Sequence, residues 1–422
     1  MLVSSRKRQL PLLAGLAFTL FFVYVYRDTE HIYLSWPSSS RLHVQHPPAN
    51  RTLGFGAVVV VSKEDSKRRH ALLQAANVTG LDLIIPQQSD WTENQIEKFR
   101  NGQVDDVQHG SLLAWMGHYN ALQWFLNSDL DTALILEDDV DWDIRLRSVQ
   151  VPRAASAVRT MMPPRRPLNF IPRLEQDPPS YWGDHSTWDL LYLGHCGDYF
   201  HTVSYQGLAS GKLYTLNGVE HIVYNDPTLP PRSQLHPFTQ ELFSALAMPE
   251  HTRAFHRSKF PLCSFGYAIS RPAAKLLQSN LTPLKLKPEG PRAFDVALLH
   301  ACAKGSQETT RISAARLANT PSDPHRGLRC WTLNSELFHH MPGESEIANV
   351  GKTMGEESGQ GLPPVDWAGQ AQAVLRNETT NIECGFWSGG FAFDEGDEER
   401  LRVLREEVGR KGRCLKDGRD TV

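Results

Sequence analysis

The chain has 422 residues, enough for one large domain or two ordinary ones with a real core. Hydrophobic residues make up 41% and charged residues 22%, the balance of a folded globular protein rather than of a disordered or fibrous one. With 44 basic against 47 acidic residues the formal net charge is −3, and without a concentrated basic face nucleic acid is not an expected partner.

Arg6-Lys-Arg8 precedes residues 10–26, seventeen positions without a charge. As a helix this run would be about 25 Å long, slightly short of the ~27 Å core of an ER-type bilayer, with Tyr24 and Tyr26 placed for an interface. The positive flank lies N-terminal. Residues 1–9 are therefore expected to be a cytosolic tail and 10–26 a single transmembrane signal anchor, with the rest in the lumen of the Golgi or ER as in a type II membrane protein. A cleaved signal peptide would have a shorter apolar run and an Ala-x-Ala-like site, and none is visible near Arg27-Asp28-Thr29. Four acceptor sequons, at Asn50, Asn77, Asn280 and Asn377, agree with a lumenal location. The six cysteines (Cys196, Cys263, Cys302, Cys330, Cys384 and Cys414) contain no Cys-x-x-Cys, which disfavours a zinc or thioredoxin site. In an oxidising compartment some can pair, in any of fifteen possible connectivities, or they can stand as buried thiols.

Residues 27–52, rich in Ser, Pro and His, read as a stem. A β-branched run within 54–62 suits a first buried parallel strand, and 63–76 has helical character. Residues 81–85 read as a second strand and 92–100 as a helix. Residues 111–126 form an amphipathic helix with His118 and Asn120 off its apolar stripe or at its edge. Residues 133–136 are a third apolar run suited to a buried strand. This order of elements predicts an α/β fold with parallel strands.

The third strand runs at once into Glu137, Asp138, Asp139, Asp141 and Asp143. If the backbone stays extended, Glu137, Asp139, Asp141 and Asp143 project to one side and Asp138 to the other. Two carboxylates about 6 Å apart at an effective dielectric of about 20 repel by roughly 3 kcal/mol, so the cluster calls for a cation, protonation or open solvent. In open α/β sheets, ligands bind beyond the carboxyl ends of the strands. A hard divalent ion is held there by one or two carboxylates plus substrate phosphates. A solvated acidic turn is the plainer alternative.

Leu136-Glu-Asp-Asp-Val140, the helix Gly110-Ser-Leu-Leu-Ala-Trp-Met-Gly-His-Tyr-Asn-Ala-Leu122 and Trp188-Asp-Leu-Leu-Tyr-Leu-Gly-His-Cys-Gly197 together resemble glycosyltransferase family 25. This is the group of lipopolysaccharide and procollagen galactosyltransferases, and the strings look like its fungal branch. The resemblance spans roughly residues 53–345. It implies a GT-A type, Rossmann-like mixed sheet over 53–345; the Gly- and Glu-rich remainder reads by composition as a charged C-terminal extension over 346–422. It also implies a UDP-sugar donor (UDP-galactose first), a divalent metal (Mn²⁺), a glycan or glycoprotein acceptor, and inversion at the anomeric carbon.

The same resemblance distributes roles. Arg68 and Arg69 fall where the family opens its nucleotide site, and a guanidinium suits a diphosphate; a solvated basic turn over 67–70 is the other reading. His118 becomes a donor-site candidate. Asp139, with Asp138 or Asp141, is expected to hold the metal, Glu137 to orient the cluster, and His340 or its neighbour His339 to complete the metal shell. Asp295 precedes a helix at a position where the family has an acid. It is expected to be the base that takes the acceptor's proton, with Asp141 or Asp143 next; a plain N-cap is the alternative.

Residues 150–180, with Met162-Pro-Pro-Arg-Arg-Pro167, read as a mobile loop between the halves. Residues 188–193 read as a strand ended by Gly194-His-Cys-Gly197, where His195 either borders a ligand loop or packs in a turn. Asn225-Asp-Pro-Thr228 starts a Pro-rich loop, 265–270 is a strand feeding a helix over 272–278, and 332–341 closes the core. Residues 394–413 read as a solvated helix or mobile tail. Segments 150–180 and 200–260 match nothing in the family and leave the acceptor open. Two other classes stand beside the transferase. One is a metal-dependent, membrane-tethered hydrolase, which would need scattered His ligands or two carboxylates flanking one bond. The other is an inactive lumenal binding or scaffold protein of the same fold.

Overall fold

The computed structural model describes residues 47–88, 91–102, 107, 109–162, 181–198, 216, 219–311, 326–341, 381–386, 391 and 393–415. The membrane helix expected over 10–26 and most of the expected stem lie outside these residues. No helix among the described residues is long and apolar enough to cross a membrane.

The first half follows the expected alternation. Strands β1 (Ala57–Val61), β2 (Leu83–Ile84) and β3 (Thr132–Glu137) are parallel in the order β2-β1-β3. They are connected by helices α1 (Lys67–Thr79), α2 (Glu93–Arg100) and α3 (His109–Asn127). Thr92 begins α2 with a reciprocal capping box to Gln95, which satisfies two otherwise orphaned donors. Beyond β3 come β4 (Val140–Trp142), α4 (Val151–Met161), β5 (Leu190–Gly194), β6 (Gly197–Asp198) and β7 (His221–Asn225). Next are α5 (Pro237–Ala245), β8 (Thr252–Arg257), β9 (Pro261–Leu262), β10 (Gly266–Ser270) and α6 (Arg271–Leu276). Helix α7 (Phe294–Arg311), β11 (Cys330–Asn334), β12 (Phe338–His340) and α8 (Glu398–Leu404) complete the set.

The main sheet has the order β2-β1-β3-β10-β5-β11-β8-β7, with β12 pairing both β4 and β5. Strand β10 runs antiparallel to both β3 and β5, so the fold is a mixed α/β sheet. Alternation along the strands divides the core. Val58, Val60, Leu134 and Leu136 face one layer with α1, α4 and α8, and Ala57, Val59, Ala133 and Ile135 face the other with α2, α3, α6 and α7. Gly194 and Gly266 let β5 and β10 approach closely: a Cβ on Gly194 would stand 3.0 Å from the Gly266 Cα.

Four expectations change. Residues 151–161 of the supposed loop are helix α4; Pro152 sits in its first turn, where the missing N–H costs nothing, and Val151, Ala154, Ala155 and Val158 are buried. The unplaced region 200–260 contributes β7, α5 and β8 among its described residues. The end of the expected stem is docked, with Ala49 buried and its N–H bonded to the Arg147 carbonyl. The described part of the 394–413 segment is no solvated tail, because Leu401, Leu404 and Val408 are buried in the first core layer.

All six cysteines are paired, as Cys196–Cys263, Cys302–Cys330 and Cys384–Cys414. The last pair fastens the C-terminal segment to itself beside β4.

Candidate functional site

Strand β3 stops at Glu137 because Asp138 and Asp139 form a turn before β4. The turn breaks the simple alternation expected along the acidic run. Asp138 and Asp139 both meet Arg68, from the first turn of α1: Nη2 lies 3.2 Å from Asp138 Oδ1 and Nη1 3.3 Å from Asp139 Oδ2. Ser62, just past β1, donates its hydroxyl to Asp138 Oδ2 at 2.7 Å. Met341 donates its N–H to the Asp139 carbonyl at 2.8 Å, which fixes the end of β12 against the turn.

Strand alternation separates the two late histidines. His340 turns to the turn carboxylates, with Nε2 3.1 Å from Asp139 Oδ2. His339 turns the other way and bonds the Glu336 carboxylate. Burial opposes charge on His340, but the charge and hydrogen bond of Asp139 outweigh it and hold the imidazole pKa above its ordinary value. Burial likewise works against the Asp139 carboxylate, and His340 and then Arg68 overcome it, leaving its pKa below the usual range.

Glu137 forms the other wall of the cluster. Its Oε1 lies 3.1 Å from His118 Nε2 and accepts the Ser264 hydroxyl at 3.2 Å. His118 is not at the edge of its helix face: it is buried, stacked on Phe294 at 4.4 Å between ring centres, with Tyr267 Oη 3.3 Å from Nδ1. Asp295, in the first turn of α7, is half-buried, and Val296 donates its N–H to its Oδ1. Burial raises the Asp295 pKa, and the nearby Glu137 charge adds to that while His118 opposes it. The expected acid is therefore beside the cluster, spending one oxygen on its own helix start.

Of these groups, Ser62, Arg68, His118, Glu137, Asp138 and Asp139 line a cleft of about 1050 Å³ at the carboxyl ends of β1 and β3 and the start of α1. Ser66 caps α1 without a side-chain hydrogen bond, and the first turn holds no acid, so its N–H groups favour an anion. Arg69 is drawn off towards the Lys63 carbonyl, at 3.5 Å.

Asp141 and Asp143 do not join the cluster, contrary to the metal and catalytic roles expected of Asp141. Both are fully buried. Asp141 Oδ1 accepts the N–H groups of Trp142 at 2.8 Å and Phe386 at 2.9 Å, and Gly385 packs against the carboxylate where no Cβ would fit. Asp143 takes a two-pronged bond from the Arg145 guanidinium at 2.8 Å on each oxygen, plus the Cys384 N–H at 3.0 Å. Two of these donors, the Cys384 and Phe386 N–H groups, come from the C-terminal segment, and the others from Trp142 and Arg145 close by in the chain. His195 packs as well, bonding the Leu333 carbonyl and the Gly197 N–H, so Gly194-His-Cys-Gly197 is a closed turn.

The donor set can be weighed against a divalent ion. Asp139 Oδ1 is buried with no hydrogen-bond partner, and its other oxygen faces His340. Among the described residues no group of three or more His, Cys, Asp or Glu is arranged to hold a metal. One carboxylate with one imidazole suits a Mn²⁺-type ion, which accepts both donors and keeps its other positions for phosphate and water, better than Mg²⁺, which takes oxygen donors.

Sequence reasoning missed Ser62, Ser264 and Tyr267. Each is an ordinary strand-end residue whose partner lies far along the chain, up to 149 positions away for Tyr267 and His118.

No protein-family model and no curated protein matches the chain. Among solved structures it is similar to the crystal structure of a glycosyltransferase involved in the glycosylation of the major capsid of PBCV-1. That likeness has 11% identity, covers 69% of this chain and 96% of that chain, and has a TM-score of 0.24. A likeness of that size settles nothing about the chemistry of this chain.

Proposed function

We propose that the protein is an inverting, metal-assisted glycosyltransferase of the family 25 type. In this reading it moves a sugar, galactose in the first instance, from a UDP-sugar to a glycan or glycoprotein acceptor. The observation that carries the reading is the Asp138–Asp139 turn at the strand ends, which touches both Arg68 and His340 beside an open cleft.

In the reaction the bond between the anomeric carbon and the diphosphate oxygen breaks, its electron pair leaving with the diphosphate. The acceptor oxygen bonds that carbon from the opposite face, and its proton passes to Asp295. Arg68 and the N–H groups at the start of α1 face the charge that builds on the diphosphate. The raised Asp295 pKa moves that carboxylate towards the range where a base is both deprotonated and able to hold a proton. Glu137, held by His118 and Ser264, orients the cluster. A divalent ion would be held by Asp139 and His340 and would supply positive charge for the leaving group.

Three disulfides suit an oxidising compartment, which supports the reading of a type II protein with its catalytic part in the Golgi or ER lumen. The test is donor turnover by the purified chain across UDP- and GDP-sugars, with Mn²⁺ or with chelator. Turnover of a UDP-sugar only with metal supports the proposal, and a folded chain that binds and turns over no sugar nucleotide overturns it.

A further inference from the structure

Beyond β2 the same cleft has a wall that the chemistry above leaves unused. Gln88 and Trp91 line it, and across from the acidic turn the uncharged residues Gly110, Leu113, Ala114 and Gly117 of α3 recur at the spacing of one helix face.

The Gln88 side chain is out of balance there. Its Oε1 and Nε2 are both buried, and neither has a hydrogen-bond partner in the protein. Buried amides are normally bonded, so one with both halves unpaired beside a cleft points to a ligand. The amide rests against Gly117, whose missing Cβ would lie 3.8 and 3.9 Å from its two polar atoms and 2.8 Å from Val61 Cγ1. Trp91 is half-buried and adds an aromatic surface to the same wall. A flat ring with a donor and an acceptor side by side on one edge fits this combination. A Gln amide matches such an edge with two bonds, and an indole offers its face for stacking.

We propose that Gln88 and Trp91 recognise the nucleobase of the donor, Gln88 bonding the N–H and C=O edge of uracil and Trp91 packing on the ring. This rests on the nucleotide-sugar reading above. It is tested by calorimetric titration of the full chain with UDP and with inorganic pyrophosphate, in Mn²⁺. The proteins compared are the wild type, Gln88→Ala, Gln88→Glu and Trp91→Leu, each checked by thermal melting. The expected result is that each variant binds UDP about tenfold or more weakly while pyrophosphate binding stays within about twofold of wild type. Full UDP affinity in both Gln88 variants overturns the inference and leaves the transferase reading standing, as does an equal loss for UDP and pyrophosphate. A wild type that binds neither probe overturns both. Gln88→Glu keeps the volume of the side chain while a charged carboxylate replaces the amide donor, and the pyrophosphate titration reports the effect of the added charge, so a loss confined to UDP separates recognition from packing.

Discussion

Glu137, Asp138 and Asp139 are separated by a single residue from Asp141 and Asp143, yet the two groups live in opposite surroundings. The first group lines an open cleft, its partners are one guanidinium, two imidazoles and two hydroxyls, and one Asp139 oxygen has no partner at all. The second is fully buried, and its donors are backbone N–H groups and one guanidinium supplied at fixed geometry. Identical side chains therefore do different jobs, decided by whether the protein has already satisfied them. A carboxylate with its hydrogen bonds complete is part of the fold, and one left with spare capacity beside a cleft is available to a ligand.

The largest test of this contrast is Asp143→Ala. It leaves the buried Arg145 guanidinium unpaired, and stability should fall by about 3–5 kcal/mol in denaturant unfolding. A loss below about 1 kcal/mol would place Asp143 outside the framework role. Next, Asp139→Asn should melt close to the wild type while transfer falls about 10³-fold, the scale of removing one preorganised electrostatic group. If instead Asp139→Asn unfolds and the folded remainder keeps its rate, the distinction between the two groups collapses. Asp295→Asn should lower kcat about 10²-fold with UDP affinity unchanged. With the native Asp295, kcat should rise with pH through a midpoint above the usual carboxylate range, since the base acts deprotonated and its pKa is raised. A rate that is flat across that range in single-turnover measurements would assign the proton to another group.

The contrast was only half legible in the sequence. Apolar β-branched runs and helical spacing mark β1, β3 and α3, because those elements bury one face against a common sheet and the pattern repeats locally. The split of the acidic run was hidden for two reasons. The turn at Asp138 and Asp139 breaks the period of two, and the donor that claims Asp141 sits 245 positions further on, at Phe386. Strand β8 escaped notice because its interior positions include Arg253 and His256, which look like solvent residues. They are buried because Asp226 and Asn334 pair with them. Helix α4, which starts directly after Gln150, was obscured by Pro152, a residue that breaks helices in their middle but fits their first turn. For His339 and His340 the alternation of a strand would have told them apart, once the register of β12 against β4 was known.

The smallest predicted effect concerns a third carboxylate, Asp189, far along the sheet from the cleft and of the same kind as Asp143. It is buried at the start of β5 and bonded by Arg326 at 2.6 Å and Arg329 at 2.9 Å. Burial alone would raise its pKa, but the hydrogen bonds and then the charges of Arg329 and Arg326 overwhelm it and hold the group well below the carboxylate range. A folded pKa below the unfolded one means that the unfolded chain binds the proton first. The stabilisation from this group is therefore complete above about pH 4 and is lost as pH falls further towards the depressed value. One such group can contribute a slope of at most about 1.4 kcal/mol per pH unit. Stability measured by denaturant between about pH 5 and 2 should thus fall less steeply in Asp189→Asn than in the wild type. Asp139→Asn should leave a smaller mark on that limb, because its oxygens are not both committed to the fold. Equal slopes for the wild type and Asp189→Asn would mean that the two arginines do not hold this charge in place, and that bonding geometry is a poor guide to which carboxylates belong to the framework.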